Sequence, residues 1–323
     1  MIPLELDPPA SLAYRKLLNL TLSPQASKAR KPYIQDLVTE CLDQVCESGQ
    51  MDVLHDLTGP VTATLTLAIV GMPASQGRRC AQLMHDMTTI FPGSPEYNEI
   101  AQDFGKLLGE IAALVPERRA EPRDDLISHL ATATIDGRAL SIEEVANVCA
   151  LVIAGGVETT ASLVAHALRW LSEHPEERQR LINDPDLIPS AGEEFLRVFA
   201  PVAGMARTAT TRTEIAGAML EAGDRVFLMY GAANLDPAAF DEPAEVRLDR
   251  FPNRHVTFGV GSHRCVGAHL ARAQIEIILR SVLARMPDFV ITEAEPYPDL
   301  GMGNGFATMK ATFTPTAGSP AQR

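Results

Sequence analysis

The chain has 323 residues, 46% of them hydrophobic and 21% charged, which is enough to bury a large core within a single domain. A formal net charge of −13 speaks against nucleic acid or an anionic membrane surface as the main partner. The five cysteines (Cys41, Cys46, Cys80, Cys149 and Cys265) are odd in number and lack framework spacing, which points to a reducing cytoplasm rather than secretion.

The opening "MIPLELDPP" has neither the basic start nor the apolar run of a secretory leader. From about Ala10 to Leu181 the apolar periodicity is helical almost throughout. Breaks are predicted at "SPQ", "GMPAS", "FPGSPE", "VPERRAEPRD" and "IDGRALS". Ile34, Leu37, Val38, Cys41, Leu42, Val45 and Cys46 follow one helical face, so both thiols are expected in the core. Residues 57–74 carry no charge and approach bilayer length. The stretch is threonine-rich, holds Pro60 near its start and stops at Gly71–Met72–Pro73, so it reads as a buried helix of a soluble protein. Ser141, followed by Glu143 and Glu144, starts a helix that runs to about His174, where Pro175 opens the next. Its middle, "VCALVIAGGV", is apolar on every face and should cross the centre of the molecule. Beyond about Met205, "ARTATT", "TEIAGAML" and "DRVFLMY" have strand character. A second buried helix is expected from Gly267 to about Arg285, then weak strands, and residues 315–323 read as a disordered tail. The fold class expected is mainly α with small β-sheets around one core spanning residues 1–314.

Chemistry concentrates in "FGVGSHRCVG", residues 258–267, where a lone cysteine stands among glycines at the mouth of a helix. A dinucleotide loop is excluded because the third glycine is missing, and covalent haem attachment would need C-x-x-C-H. His263, Cys265 and His269 could offer three zinc ligands, but at no usual spacing. Amides at the helix start should lower the thiol pKa, so the motif indicates a thiolate without deciding between a metal and nucleophilic attack with His263 as base. Elsewhere, Gly155–Gly156 interrupts a helix interior at about 1 kcal/mol each, just before Glu158 and Thr159. Glu194 and Arg197 sit three apart on one helix, and Arg207 lies in a strand-like segment.

Together these stretches resemble the cytochrome P450 superfamily of haem-thiolate monooxygenases, in its soluble bacterial form. "FGVGSHRCVG" is similar to the family's F-G-x-G-x-H-x-C-x-G signature, "GGVETT" to its oxygen-activating motif and "EFLR" to its E-x-x-R pair. "AANLDP" and "VRLDR" fall where the family has related segments. The resemblance implies haem b, with Cys265 as the iron ligand and Phe258 packed near the sulfur. Gly259 and Gly261 would let the backbone reach the sulfur, and Gly267 would let the helix lie against the porphyrin. His263, Arg207 and Arg15 would pair with propionates. Gly156, with Gly155, would open a notch for O2. Glu158 and Thr159 would form an acid–alcohol proton relay, with Thr160 structural. Glu194, Arg197 and Arg250 would form a buried ion-pair cluster. Electrons would come from a ferredoxin-type donor and its reductase, docked on Arg15, Lys16, Arg264 and Arg272. A small apolar substrate would touch residues 151–157, 201–205 and the turn "GMGNGFA". Relatives carry a further portion before "DPP", so the resemblance implies an N-terminally shortened form of the fold whose distal pocket lacks one wall. Ala10 and Ser11 also stand where many relatives place glutamate and histidine. A shortened haem-binding protein without monooxygenase activity is the alternative that this start leaves open.

Overall fold

The computed structural model describes residues 2–298 and 303–317. Helix α1 (Ala10–Leu22) buries Tyr14, Leu18 and Leu22. Helix α2 (Pro24–Ala29) follows the predicted break, capped by the Ser23 hydroxyl, which accepts from the Ala26 amide. Helix α3 (Lys31–Val45) buries the predicted face, Cys41 included, and Cys46 follows in the core.

A strand that the helical periodicity did not announce comes next: β1 (Gln50–Asp52). Asp52 then accepts the Leu54 and His55 amides and starts a π-helical turn, Val53–Thr58, that runs into α4 (Gly59–Val70). Gly71, at φ +101°, ends α4 as the sequence predicts. Helices α5 (Gly77–Thr89) and α6 (Pro95–Ala120) follow.

The break predicted at "VPERRAEPRD" falls in the second half of that stretch, because α6 continues through Pro116 and stops only at Glu121. An interior proline costs about 3 kcal/mol. Anchoring of the next turn offsets this: Arg118 binds Asp125 (2.9 Å) and Glu117 (2.8 Å), and Arg119 donates to the Ala131 and Leu140 carbonyls.

Helix α7 (Leu126–Thr132) leads to a hairpin of β2 (Thr134–Ile135) and β3 (Arg138–Ala139). The hairpin turns at Asp136–Gly137, both at positive φ. Ser141 and Glu144 then make a reciprocal capping box for α8 (Ile142–Gly156). The long central helix does not run unbroken to His174. It is interrupted at Val157 and resumes as α9 (Glu158–Glu173), with the Thr159 hydroxyl donating to the Gly155 carbonyl (2.9 Å). Two glycines and a back-bonding threonine are a recognised cause of such a kink.

Helix α10 (Pro175–Asn183) opens at Pro175 as predicted, and α11 (Ile188–Phe199) carries Glu194 and Arg197. The predicted strands appear as β4 (Gly204–Thr208), β5 (Thr213–Ile215), β6 (Ala218–Leu220) and β7 (Arg225–Met229). They form two antiparallel ribbons, β4 with β7 and β5 with β6. A short α12 (Tyr230–Ala233) precedes the cysteine loop, α13 (Ala268–Arg285) follows it, and β8 (Val290–Pro296) and β9 (Phe306–Thr312) end the fold. Strand β9 lies between β1 and β8, so Ala311 faces both Met51 and Ile291.

Among the described residues, buried apolar side chains form two clusters with α4 as their common wall. Val61, Leu65 and Ile69 face one cluster, and Ala63, Leu67 and Val70 face the other. The two helical stretches apolar enough to cross a membrane, Val53–Val70 and Ile142–Glu173, are mostly buried inside this fold.

Candidate active site

Two left-handed glycines shape the cysteine loop. Gly259 (φ +68°) and Gly261 (φ +69°) turn the chain back on itself. The Gly259 amide donates to Val256 O (2.7 Å), the Arg264 amide to Gly261 O (3.1 Å) and the Cys265 amide to Phe258 O (2.7 Å). Cys265 is thereby held just before α13 with its side chain open to a cleft. A methyl group on Gly267 would lie 3.9 Å from its sulfur.

The expectation of a lowered thiol pKa is not met. Desolvation by surrounding protein pushes the Cys265 thiol up, against the opposing pull of the Gly267 amide and of Arg15, Arg264 and Arg272. An unassisted nucleophile is disfavoured by that shift, whereas a bound metal would hold the thiolate outright.

The cleft is open at its mouth and leaves about 290 Å³ for water-sized groups inside. Leu151, Val152, Leu163, Val202 and Met205 give it apolar walls, within the segments predicted to meet substrate. Of the third such segment, residues 301 and 302 lie outside the described residues; Gly303 bridges to Val202. Arg15, Arg207 and His263 border the same cleft. Arg15 donates to the Arg264 carbonyl (2.5 Å) and Arg207 to its neighbour Ala206 (2.8 Å), and no carboxylate among the described residues ion-pairs with either. His263 is pushed below its ordinary pKa by burial and by the charges of Arg207 and Arg15, with Asp7 opposing.

A flat apolar slot with one soft ligand below and a cationic edge suits a planar iron porphyrin carrying two carboxylates. It does not suit zinc: no cluster of three His, Cys, Asp or Glu ligands occurs among the described residues, and His269 is exposed outside the cleft lining.

The distal wall is α8 and α9, with Gly155, Gly156, Thr159 and Thr160 along the cleft. Thr160, expected to be structural, therefore also borders it. The two glycines differ in what requires them. A methyl on Gly156 would stand 2.9 Å from Thr66 Oγ1, so close approach of α4 demands glycine there, while one on Gly155 would meet open space.

Glu158 departs from expectation. Gly156, Thr159, Arg15, Arg207, His263 and Cys265 line the cleft as expected, but the Glu158 carboxylate lies on the other side of α9, near His85 Nδ1 (3.1 Å) and accepting from the Tyr297 hydroxyl. The helix turns by about 100° from Glu158 to Thr159, and here His85 and Tyr297 hold the carboxylate on the far side while Thr159 borders the cleft.

Beneath the cysteine loop, Glu194, Arg197 and Arg250 form the expected buried cluster. Arg197 grips Glu194 with two bonds of 2.7 and 2.8 Å, and Arg250 Nε lies 2.9 Å from the same carboxylate. The predicted basic patch loses one member, because Arg272 is bidentate on Glu193 (2.6 and 2.8 Å) and stacks over Phe258 (4.6 Å). His85, Tyr297, Glu193 and His255 escaped sequence reading. In the fold Tyr297 is packed closely enough that a side chain on Gly305 would collide with it and with Ser162.

Comparison with known proteins agrees with this geometry. Residues 4–310 match the family described as Cytochrome P450. The chain is 33% identical over 319 residues to a "Steroid C26-monooxygenase" of Mycobacterium tuberculosis (strain CDC 1551 / Oshkosh), covering 97% of this chain and 86% of that protein. The crystal structure of P450BioI in complex with hexadec-9Z-enoic acid ligated acyl carrier protein superposes with a TM-score of 0.87 at 31% identity, covering 95% of this chain and 80% of that one. CYP109E1 from Bacillus megaterium in complex with corticosterone gives 0.87 at 28% identity, covering 96% and 85%. The matches in sequence and in fold thus agree with a soft ligand set in an apolar cleft: the chain belongs to the cytochrome P450 family and is a haem b monooxygenase.

Proposed function

We propose that the chain inserts one oxygen atom from O2 into an apolar small molecule of steroid or fatty acyl type, in the cytoplasm, with electrons from a separate ferredoxin-type donor. The observation that carries this reading is the convergence on one cleft of Cys265, a cationic rim and an aliphatic wall. Haem, when bound, supplies the redox chemistry on oxygen, with an electron-rich thiolate behind the iron.

The chain's own residues do the rest. Cys265 would hold the iron, and Arg15, Arg207 and His263 would hold the propionates. Leu151, Val152, Val202 and Met205 would exclude water and fix an aliphatic substrate by shape. Thr159 borders the cleft with a hydroxyl that now donates to Gly155 O; turned from that carbonyl, it would pass a proton into the cleft. Arg15, Lys16 and Arg264 remain as the basic groups for an acidic donor. The names of the relatives and the ligands in the matched structures support the substrate class.

The test is the difference spectrum of the reduced, carbon-monoxide-bound protein. The parent gives the strongly red-shifted Soret band of thiolate-ligated haem, and Cys265→Ala loses both band and turnover. Retention of that band in Cys265→Ala would overturn the assignment.

A further inference from the structure

A second cavity approaches α9 from the side opposite the substrate cleft. It leaves about 250 Å³ for water-sized groups, and its polar wall includes His55, Asp56, Arg78, Gln82, His85 and Glu158. His85 and Glu158 are both buried, at 7% and 8% exposure.

Hydrogen-bond chemistry fixes the protons here. His85 Nε2 lies 2.9 Å from the Ala307 carbonyl, which can only accept, so Nε2 carries a hydrogen. Nδ1 lies 3.1 Å from Glu158 Oε1, and a bond between those atoms needs one further hydrogen. It sits either on Nδ1, giving imidazolium beside carboxylate, or on Oε1, giving neutral imidazole beside carboxylic acid. The two forms differ only in where one proton rests. The Tyr297 hydroxyl donates to the same Oε1, with Ser162 Oγ 2.9 Å from its oxygen.

We propose that His85 and Glu158 share one mobile proton and carry it from the polar cavity, through the wall formed by α9, to Thr159 in the substrate cleft. This rests on the monooxygenase reading above. Inserting one atom of O2 and releasing the other as water consumes two electrons, which the donor supplies, and two protons. Each proton passes from His85 Nδ1 to Glu158 Oε1. The neutral carboxyl, no longer bound by charge to the imidazolium, swings to Thr159, gives its proton to the hydroxyl oxygen as the hydroxyl hydrogen passes into the cleft, and returns as carboxylate; a proton from bulk solvent, relayed by water in the polar cavity, restores the Nδ1 hydrogen of His85.

The surroundings suit the task. Burial lowers the His85 pKa, but the Glu158 hydrogen bond and charge, the Ala307 carbonyl and Asp86 outweigh it and raise the net value above the ordinary 6.5. Tyr297 is pushed up by burial and by Glu158, so it stays a donor and parks the carboxylate. His55 meets the His85 ring edge-on at 5.0 Å, and Asp56 and Arg78 complete the charged groups of the cavity. His85 is a positioning and proton-loading residue.

The experiment compares parent and His85→Gln holoproteins. The carbon-monoxide difference spectrum should be the same in both; its absence from the parent would remove the monooxygenase reading and is thereby distinguished from failure of this proposal. Ring-nitrogen NMR of the diamagnetic ferrous carbonyl parent should show His85 protonated on Nε2 throughout, with the second proton taken up above pH 6.5. A neutral ring protonated on Nδ1 instead would overturn the proposal, and this measurement decides the matter even where the variant fails to fold. In His85→Gln, product formation should fall at least about tenfold, with a larger solvent deuterium isotope effect and unchanged substrate binding. Unchanged rate and isotope effect in a folded variant would also overturn it.

Discussion

Below the cleft, Arg197 commits all five of its N–H groups. Two bonds go to Glu194, two to the Asn234 and Pro243 carbonyls and one to Glu245 O, and the side chain has no exposure. Across the cleft, Glu158 is held by a histidine and a tyrosine, one of which exchanges protons near neutral pH. Both carboxylates are buried beside nitrogen bases. The first is surrounded by permanently charged guanidiniums and backbone, which fixes it. The second has partners whose hydrogen bonds survive the transfer of a proton, which leaves it free to move. The fold separates the scaffold that aims Cys265 from the wall that handles protons, and it does so by choosing arginine in one place and histidine in the other.

That contrast breaks most visibly at Arg197. Replacing it with methionine leaves Glu194 short of its bidentate partner, and stability should fall by about 3–5 kcal/mol in denaturant unfolding of the holoprotein. A loss below 1 kcal/mol would mean that the cluster is not the rigid member of the comparison. On the distal side, Gly156→Ala puts a methyl against Thr66 and should cost about 1–3 kcal/mol, read as a lowered denaturation midpoint. Gly155→Ala, which meets open space, should cost less, and the difference between the two variants separates packing from room for oxygen.

The smallest effect sharpens the comparison at its margin. Burial pushes the Glu193 carboxyl up, but Arg272 and His255 outweigh it and hold the pKa down to about 2, against an ordinary 4.5. A depressed folded-state pKa contributes stability that is complete above pH 4.5 and is lost as pH falls toward 2. Acid unfolding of Glu193→Gln should therefore show a shallower slope than the parent across that window.

The cysteine loop, the paired glycines and the Glu194–Arg197 pair were legible because each is a local pattern in which neighbouring residues serve one turn or one helix face. Strand β1 was not, since three residues carry no period and its partner β9 begins more than 250 positions later. Within "VPERRAEPRD" the stopping point itself was not legible, because the anchors that carry the helix past Pro116, Asp125 and the Ala131 and Leu140 carbonyls, arrive from later segments. His85 and Tyr297 lie 73 and 139 positions from Glu158, and nothing in their own neighbourhoods marks them.

Helix α1 shows how closely the two halves are tied. Tyr14 donates to Glu144 in the first turn of α8 (2.6 Å), while its neighbour Arg15 reaches the Arg264 carbonyl in the cysteine loop. One short helix thus works as a hinge pin between the covers of a book. An anion pulling on Arg15 from inside the cleft would tighten both covers in one motion, so a porphyrin carboxylate seated there would also set the spine of the oxygen side.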